Sequence, residues 1–574
     1  MIRFATLPLA ALALSACATS PVDAPDFGMT PGILQPMQGA VTAADPRAQE
    51  AGEEILRMGG NSTDAAIAVM LALTVVEPQS SGIGGGGFFV RGEPGGHVTT
   101  VDGRETAPAG ATPDWFLDEN GKVPGFAVSV RSGLSVGVPG NVALAAKAHS
   151  EFGNLDWATL FEPAIRLARE GFQINPRMHD ALGRSRMTGG HSEAAKDLFY
   201  GPDGEPLPIG TLVRNEALAK TFARIAAGGA KAFYSGEHAL ELATTVAADT
   251  PHSGAMTYQD VAGYEAKQRG AVCSTYRAYR ICSMGPPTSG GIAVQQMLGQ
   301  LERFDLSALG AENPVTWHLF LESQRLAYAD RELYLADSDF ITVPVEGLLE
   351  KSYLAERSAL ISSDRSLGLV EAGRPRGAPM ALADGDEPVE QGTSHFAVVD
   401  SRNVMVSYTS TIESAFGSGL MVGGYYLNNE LTDFSRSPTV DGRLVANRVE
   451  GGKRPRSSMS PTVVYDPQGR PFMAVGAAGG STIPVTTARA IIGAIDFGLS
   501  AEESLRLPFL MAFGGRVLLE EGTWLASAQD AFRNLGHQEI FVRQAPIKGG
   551  ALLLRDGEWQ SARDPRLEGY LDMP

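Results

Sequence analysis

The sequence is poor in the signatures that usually mark a catalytic site. Its 574 residues contain no H-E-x-x-H motif, no Cys-x-x-Cys pair and no cluster of carboxylates with histidine, so we expect no catalytic metal and no cofactor. Basic residues are outnumbered, 47 against 65 acidic ones, and the net charge of −18 argues against nucleic acid as a partner.

Glycine is plentiful, and one glycine-rich stretch imitates a nucleotide-binding motif. Gly82, Gly84 and Gly87 satisfy the spacing of the dinucleotide fingerprint. The predicted order around them is helix, loop and strand, whereas the fingerprint requires a strand before the glycines and a helix after them. We therefore expect these glycines to allow close backbone packing and not to bind a nucleotide.

Long apolar runs are missing: beyond the N-terminus none reaches the about 18 residues that a membrane-spanning helix needs. Residues 1–16 are typical of a lipoprotein signal peptide, and Leu14 to Cys17 resembles a lipobox. We predict that Cys17 is lipidated as the first mature residue and that Ala18 favours the outer membrane, on the periplasmic side. Residues 17–39 are then a flexible tether. The alternative is an ordinary cleaved signal with a chance cysteine.

Cysteine is scarce, and two of the three cysteines, Cys273 and Cys282, lie close together in the chain. A two-residue hairpin turn at Arg277 and Ala278 would place Cys273 opposite Cys282 at a non-hydrogen-bonded pair, with Cα atoms about 4.5 Å apart. That separation is at the short end of the disulfide range, and an exported compartment permits the bond. We predict a Cys273–Cys282 disulfide, the alternative being two buried thiols.

The chain is organised around the Gly392–Thr393 bond. Residues 363–390 before it are rich in Gly, Pro, Asp and Glu without a helical or strand period, which is typical of an exposed loop. Residues 396–399 and 404–408 after it have the pattern of two buried strands. A hydroxyl beside a glycine, where a loop enters a β-core, is what a self-cleaving precursor needs. The alternative is that Thr393 merely begins a strand.

Cleavage before Thr393 would leave a hydroxyl and a free α-amine on one residue. An α-amine has a reference pKa of about 7.7–8.0, against about 10.4 for lysine, so roughly one in six is neutral near pH 7. A new N-terminal threonine therefore carries its own general base. The strand-rich segment that follows concentrates polar clusters in its loops, which favours a site there: residues 428–433, 456–460 and 479–482.

Several rare motifs occur in a fixed order along the chain. They are Glu77 to Gly87, Pro286 to Gly291, Leu326 to Arg331, Thr393 to His395, Phe416 to Gly419, Leu427 to Asn429, Ser457 to Pro461 and Gly479 to Ser481. Together they resemble the gamma-glutamyltranspeptidases (glutathione hydrolases), a family of the N-terminal nucleophile hydrolases. The resemblance extends from about residue 40 to the C-terminus.

This resemblance implies an α+β fold, the four-layer αββα sandwich of the N-terminal nucleophile hydrolases. It also implies one precursor that cleaves itself at Gly392–Thr393 into a large subunit, residues 40–392, and a small subunit, residues 393–574. The two subunits would remain partners in one intertwined fold.

The resemblance further implies roles for individual residues in γ-glutamyl transfer. Thr393 Oγ would attack the γ-carbonyl of glutathione or a related donor while its α-amine takes the proton. Water, or an amino-acid or dipeptide acceptor, would then resolve the γ-glutamyl ester. Thr411 would orient Thr393, and the backbone N–H groups of Gly479 and Gly480 would stabilise the oxyanion.

A pocket for the zwitterionic glutamyl head group is implied as well. The α-carboxylate would be held by Arg104, Ser457 and Ser458. The α-ammonium would be held by Glu413, Glu430 and Asp433. From the residues alone, an arginine at a strand end is more often a surface charge, whereas here an acidic protein would recruit its substrate carboxylate with one placed arginine.

Two features depart from the family pattern. Glu413 stands where some members have Asn, which makes the ammonium pocket more acidic. The loop over residues 435–452 is shorter than the family's lid and has no aromatic residue, whereas lidded members carry a Tyr there, so we expect an open site that favours hydrolysis. The alternatives are a cephalosporin or glutaryl acylase of the same superfamily, and a catalytically silent, lipid-anchored binding protein.

Overall fold

The computed structural model describes residues 1, 39–379, 382–383 and 392–571. Across these ranges no helix is both long and apolar enough to cross a membrane. The strands in chain order are β1 Gly39–Thr42, β2 Gly86–Gly92, β3 Val98–Asp102, β4 Phe172–Gln173, β5 Leu212–Val213, β6 Lys267–Arg269, β7 Val272–Tyr276, β8 Tyr279–Ser283, β9 Leu382–Ala383, β10 Gly392–Asp400, β11 Met405–Glu413, β12 Met421–Val422, β13 Tyr425–Tyr426, β14 Thr439–Val440, β15 Arg443–Val445, β16 Thr462–Tyr465, β17 Pro471–Ala478, β18 Leu510–Phe513, β19 Arg516–Glu520, β20 Glu539–Arg543, β21 Lys548–Arg555 and β22 Glu558–Arg563.

Most of the helices lie before the Gly392–Thr393 bond. In chain order they are α1 Pro46–Arg57, α2 Ser62–Val76, α3 Phe126–Val130, α4 Asn141–Phe152, α5 Glu162–Glu170, α6 Pro176–Arg184, α7 Arg186–Gly189, α8 Glu193–Phe199, α9 Glu216–Gly228, α10 Lys231–Tyr234, α11 Gly236–Ala248, α12 Tyr258–Ala262, α13 Gly290–Leu301, α14 Leu306–Leu309, α15 Pro314–Tyr334, α16 Val345–Leu349, α17 Lys351–Ala359, α18 Ile483–Ile495, α19 Ala501–Arg506, α20 Trp524–Ser527, α21 Gln529–Asn534 and α22 Glu568–Leu571.

Two six-stranded sheets form the centre of the molecule. The first has the order β1-β10-β11-β2-β3-β6 and the second the order β22-β21-β17-β16-β8-β7. Every neighbouring pair in both sheets is antiparallel. Each sheet combines strands from before and after the Gly392–Thr393 bond. Cleavage there would therefore leave two pieces that remain hydrogen-bonded in the same sheets.

Strand β10 shows why the layers stack as they do, because successive side chains point to opposite faces of a sheet. Phe396 and Val398 pack into a core with the helices on the outer face of the first sheet. Ala397 and Val399 point the other way, into a core shared with the second sheet. A third core joins the outer face of the second sheet to α13, α15 and α18. The predicted four-layer αββα sandwich is confirmed.

The hairpin of β7 and β8 has the register expected from the sequence. Arg277 and Ala278 occupy the turn with φ of 50° and 68°, and Cys273 lies directly opposite Cys282. The two sulfurs form a disulfide, with Cα atoms 4.2 Å apart. The lipidation site predicted at Cys17 lies outside the described residues.

Candidate active site

The Gly392–Thr393 bond lies inside β10 and is buried. The pairing of β10 with β11 shifts register here: Gly392 pairs with Glu413 and Ser394 with Ser410, so Thr393 lies at an irregularity of the ladder. The Thr393 hydroxyl donates a short hydrogen bond to the carbonyl oxygen of Gly392. The hydroxyl that would attack this carbonyl is thus already beside it.

Thr411, on β11, contacts the same carbonyl. Its hydroxyl donates to Gly392 O at 2.9 Å and accepts from the Glu413 N–H at 2.8 Å. The Thr393 and Thr411 hydroxyl oxygens are 3.4 Å apart. The Gly392 carbonyl therefore has two hydroxyl groups against it, and Thr411 is placed to stabilise negative charge on its oxygen.

A buried polar network that the sequence did not point to lies behind Thr393. Lys548, the first residue of β21, donates from Nζ to the carbonyl oxygen of Thr393 at 2.6 Å and to Ser80 Oγ at 3.2 Å. Arg177 donates to Ser80 Oγ at 3.3 Å and forms an ion pair with Glu77. Ser394 Oγ donates to Glu77 Oε2 at 2.6 Å. These partners come from four distant segments, so no local pattern could have indicated them.

Arg104 follows β3 and is almost fully buried, with 1% of its surface exposed. Its guanidinium forms short ion pairs with Glu430 and Asp433. It also donates to the carbonyl oxygens of Pro455 at 3.2 Å and Arg456 at 3.0 Å. The interpretation as a surface charge is therefore wrong, because two distant carboxylates neutralise Arg104 in the interior.

The segment after Arg456 brings the two predicted serines beside this cluster. Ser458 Oγ accepts a hydrogen bond from Arg331 of α15 at 2.8 Å, and Ser457 Oγ accepts from the Met459 N–H at 3.1 Å. The backbone of Ser457 is held by the Ser289 hydroxyl at 2.6 Å. Ser457 and Ser458 thus follow, by one and two residues, the Arg456 carbonyl that accepts from Arg104.

The three acids predicted for the ammonium do not make the same contacts. Glu430 and Asp433 lie on one 3-10 turn, Glu430–Asp433, and both reach Arg104. Glu413, which has a left-handed φ of 72°, accepts short hydrogen bonds from Asn429 Nδ2 and Ser414 Oγ. Non-glycine residues with positive φ are costly and cluster at functional sites.

Glu105 belongs to the same cluster and was missed by sequence reasoning. It is fully buried, and its Oε2 lies 3.9 Å from Arg104 Nη1. Burial raises the pKa of this carboxyl to about 7, although the Arg104 charge opposes the rise. Its position directly after Arg104 in the sequence is the one signal that could have found it.

Gly479 and Gly480 form the turn that follows β17. Their φ values of 131° and 61° favour glycine, and a Cβ at Gly479 would lie 2.5 Å from the carbonyl oxygen of Pro546. The turn is fixed by Thr482, whose hydroxyl donates to Gly479 O at 2.7 Å, and by Tyr328, whose hydroxyl donates to Ser481 O. Such a turn can present backbone N–H groups to an oxyanion.

Comparison with known proteins decides the family. The family model described as gamma-glutamyltranspeptidase matches residues 48–572. The chain is a member of the gamma-glutamyltranspeptidase family. A relative named glutathione hydrolase proenzyme from Bacillus subtilis (strain 168) is 40% identical over 479 residues, 82% of this chain and 80% of that protein. One of the same name from Escherichia coli (strain K12) is 36% identical over 96% of this chain and 95% of that protein.

The fold of this gamma-glutamyltranspeptidase family member also matches a solved structure. A crystal structure of cephalosporin acylase from Bacillus halodurans superimposes with a TM-score of 0.80 and 26% identity, covering 96% of this chain and 98% of that one. The chain is thus an enzyme of the N-terminal nucleophile hydrolase type.

The predicted lid region of this family member is a short hairpin and not a plain loop. Strands β14 and β15 pair with each other, and β15 also pairs in parallel with β9, from the segment before the Gly392–Thr393 bond. Leu444, in β15 of this hairpin, is half exposed. The hairpin offers no aromatic side chain to cover the site.

Within the described ranges, one group of three side chains has the spacing of metal ligands: His318, Glu322 and His537. His318 Nδ1 lies 2.8 Å from His537 Nε2, and Arg325 Nη2 lies 3.4 Å from His537 Nδ1. Burial lowers the pKa of His537 to about 3. Because a guanidinium contacts this group and the ring nitrogens already share hydrogen bonds, the group does not suit a cation.

Proposed function

We propose that this protein cleaves itself before Thr393 and then hydrolyses or transfers the γ-glutamyl group of glutathione and related compounds. One observation carries the proposal: the Gly392 carbonyl lies between the Thr393 and Thr411 hydroxyls in a buried strand. The names of the relatives, glutathione hydrolase proenzyme, agree with both halves of it.

Self-cleavage begins with attack of Thr393 Oγ on the Gly392 carbonyl carbon. The negative charge that develops on Gly392 O is stabilised by the Thr411 hydroxyl, which already donates to it at 2.9 Å. The C–N bond then breaks, the nitrogen takes the hydroxyl proton, and an ester joins Gly392 to Thr393. Water hydrolyses the ester, which frees the Gly392 carboxylate and the Thr393 α-amine and hydroxyl.

Turnover repeats this chemistry on a γ-glutamyl amide. The α-amine of Thr393 accepts the proton of its own hydroxyl, Oγ attacks the γ-carbonyl, and the Gly479 and Gly480 N–H groups stabilise the oxyanion. The leaving amine takes the proton, and a γ-glutamyl ester remains on Thr393. Water, or the amine of an amino acid or dipeptide, then resolves the ester.

The buried charges around Arg104 suit a zwitterionic head group. Without substrate, Arg104 is paired with Glu430 and Asp433. A glutamyl group brings one carboxylate, for Arg104, Ser457 and Ser458, and one ammonium, for the acids. The incoming charges cancel, so each buried group exchanges one partner for another and none is left unpaired. Glu413 would extend the acidic side of this pocket. A lid as short as this hairpin would leave the pocket open, which would favour bulky donors and hydrolysis.

The test is release of aniline from a γ-glutamyl anilide by purified protein, with the γ-glutamyl ester trapped at Thr393 and found by peptide mass spectrometry. Activity that persists in Thr393→Ala, or an adduct elsewhere, would contradict the proposal. No γ-glutamyl turnover by a correctly cleaved protein would favour a silent binding protein.

A glutaryl or cephalosporin acylase is the second candidate, favoured by the likeness to the Bacillus halodurans acylase. A glutaryl group lacks the ammonium, so it leaves Glu430 and Asp433 without a substrate partner. We therefore expect the γ-glutamyl anilide to be preferred over the glutaryl anilide. A higher kcat/KM for the glutaryl anilide than for the γ-glutamyl anilide would favour the acylase function.

We further propose that Cys17 anchors the protein to the outer membrane, facing the periplasm, because the N-terminal segment has the composition of a lipoprotein signal. Incorporation of labelled palmitate into wild type, lost in Cys17→Ser, would support the anchor. Equal labelling of both, or of neither, would contradict it.

A further inference from the structure

Lys548 occupies an unusual position for a lysine. It lies 155 residues from Thr393 in sequence, yet its Nζ donates to the Thr393 carbonyl oxygen at 2.6 Å. Across the described ranges it has no carboxylate within ion-pair distance. Burial, and then the positive charge of Arg177, hold the pKa of Lys548 well below its usual range. Burying a lysine without an ionic partner is costly, so the position of Lys548 requires an explanation.

The reason lies in the ladder of β10. Gly392 and Ser394 each have a partner on β11, whereas Thr393 between them has none because the register shifts there. Thr393 thus has no paired residue on β11, and its carbonyl oxygen accepts a hydrogen bond from Lys548. Once the Gly392–Thr393 bond is cut, Thr393 also loses its peptide link to Gly392, and the contact with Lys548 remains.

Lys548 is also tied to the turn that would stabilise the oxyanion. It pairs with Ala478 across β17 and β21, and Ala478 directly precedes Gly479. Lys548 and Arg177 both donate to Ser80 Oγ, and Arg177 is paired with Glu77. Glu77 in turn accepts a hydrogen bond from the Ser394 hydroxyl. Lys548 therefore links the main chain of Thr393 to the strand residue that precedes the glycine turn.

We propose that Lys548 is a positioning residue that clamps the main chain of Thr393 against the Gly479–Gly480 turn, during both self-cleavage and γ-glutamyl transfer. The inference rests on the proposed role of Thr393. Lys548 contacts the carbonyl of Thr393 and not its hydroxyl, so it acts through Thr393 and not on the substrate. Because misplacing a reacting group by about 1 Å can cost about 10²-fold in rate, losing the clamp affects kcat and leaves KM nearly unchanged.

The experiment compares Lys548→Met, Lys548→Arg and wild type as full-length chains, with Lys351→Met, an exposed lysine, as the matched control. Cleavage is followed on denaturing gels, and kcat and KM for a γ-glutamyl anilide are normalised to the amount of cleaved protein. We expect Lys548→Met to slow cleavage and to lower kcat about 10²-fold with KM within about threefold. Lys548→Arg, which keeps a donor, should recover at least a tenth of the wild-type kcat, and Lys351→Met should match wild type.

Cleavage and kcat within about threefold of wild type in Lys548→Met would overturn the proposal. If Lys548→Met fails to fold, as judged by its thermal unfolding midpoint, Lys548→Arg decides: a folded Lys548→Arg with less than a tenth of the wild-type kcat overturns the proposal, and a larger kcat supports it. Failure of the proposed function is visible elsewhere, because wild type itself would then stay uncleaved or inactive.

Discussion

Two buried polar regions meet in this molecule, and they are built differently. Around the Gly392–Thr393 bond the contacts with the carbonyl come from hydroxyl groups, those of Thr393 and Thr411. Around Arg104 the contacts are ion pairs with Glu430 and Asp433, and Glu105 lies close by. In the proposed function, the first region makes and breaks bonds and the second recognises the charges of the substrate.

This difference indicates which of the two regions self-cleavage and γ-glutamyl turnover each depend on. In the proposed function, self-cleavage acts on Gly392, which has no glutamyl head group, so it would need the hydroxyl region alone. Turnover of a γ-glutamyl donor would need both regions. Variants in the charged pocket should therefore separate the two reactions, and variants near Thr393 should impair them together.

The largest separation is expected for Arg104→Met. Removing one partner of a buried ion pair costs about 3–5 kcal/mol, so kcat/KM for a γ-glutamyl anilide should fall about 10²- to 10⁴-fold. Cleavage at Gly392–Thr393 should still go to completion on a denaturing gel. Arg104→Lys keeps the charge but not the forked geometry, so its kcat/KM should lie between those of wild type and Arg104→Met. An Arg104→Met protein that folds but stays uncleaved would show that self-cleavage also needs the charged pocket, which contradicts the proposed separation of the two regions.

Thr411→Val tests the hydroxyl region. Losing one oxyanion donor costs about 10²–10³-fold, so cleavage should slow by that factor, measured as the appearance of the small subunit with time. Thr411→Ser restores the hydroxyl and should cleave at a rate near wild type. Wild-type cleavage by Thr411→Val would remove Thr411 from the reaction.

Asp433→Asn tests whether the charged pocket recognises the ammonium group of the substrate. A hydrogen bond to a charged group contributes about 1.5–3 kcal/mol, so kcat/KM for the γ-glutamyl anilide should fall about 10- to 10²-fold. The rate with the glutaryl anilide, which has no ammonium, should not fall. An equal loss with both substrates would show that Asp433 is only structural.

Glu105→Gln should have the smallest effect, seen in the pH dependence of stability. The pKa of Glu105 is raised from 4.5 to about 7 in the folded protein, so the folded state binds more protons than the unfolded state between these values. Stability from this group is fully present below pH 4.5 and is lost as pH rises through about 7. The thermal midpoint of wild type should therefore fall by a few degrees relative to Glu105→Gln over this interval. Parallel curves for the two proteins would contradict the shifted pKa.

Much of this architecture could be predicted from local patterns. The apolar run from Phe396 to Val399 predicted a buried strand, and the hairpin at Arg277 and Ala278 predicted which cysteines face each other; both are as expected. The strand nevertheless begins earlier than expected, at Gly392, because pairing with β11 extends it through the bond. Thr393 is therefore inside a sheet and not at its entrance.

The charged pocket and the network behind Thr393 could not be derived from local patterns. Arg104 is neutralised by residues 326 and 329 positions away, and Lys548 reaches Thr393 across 155 positions. Such contacts depend on how the sheets stack, which composition and periodicity do not encode. The family resemblance named Arg104 and its acids, but not Lys548 or Glu105.

The most direct test of the central claim is the intact mass of the purified protein beside that of Thr393→Ala. Wild type should give two polypeptides, one ending at Gly392 and one beginning at Thr393, which stay together until denatured. Thr393→Ala should give one uncleaved chain without γ-glutamyl activity. A fully active wild type that remains a single chain, or a Thr393→Ala variant cleaved at the same bond, would contradict the account.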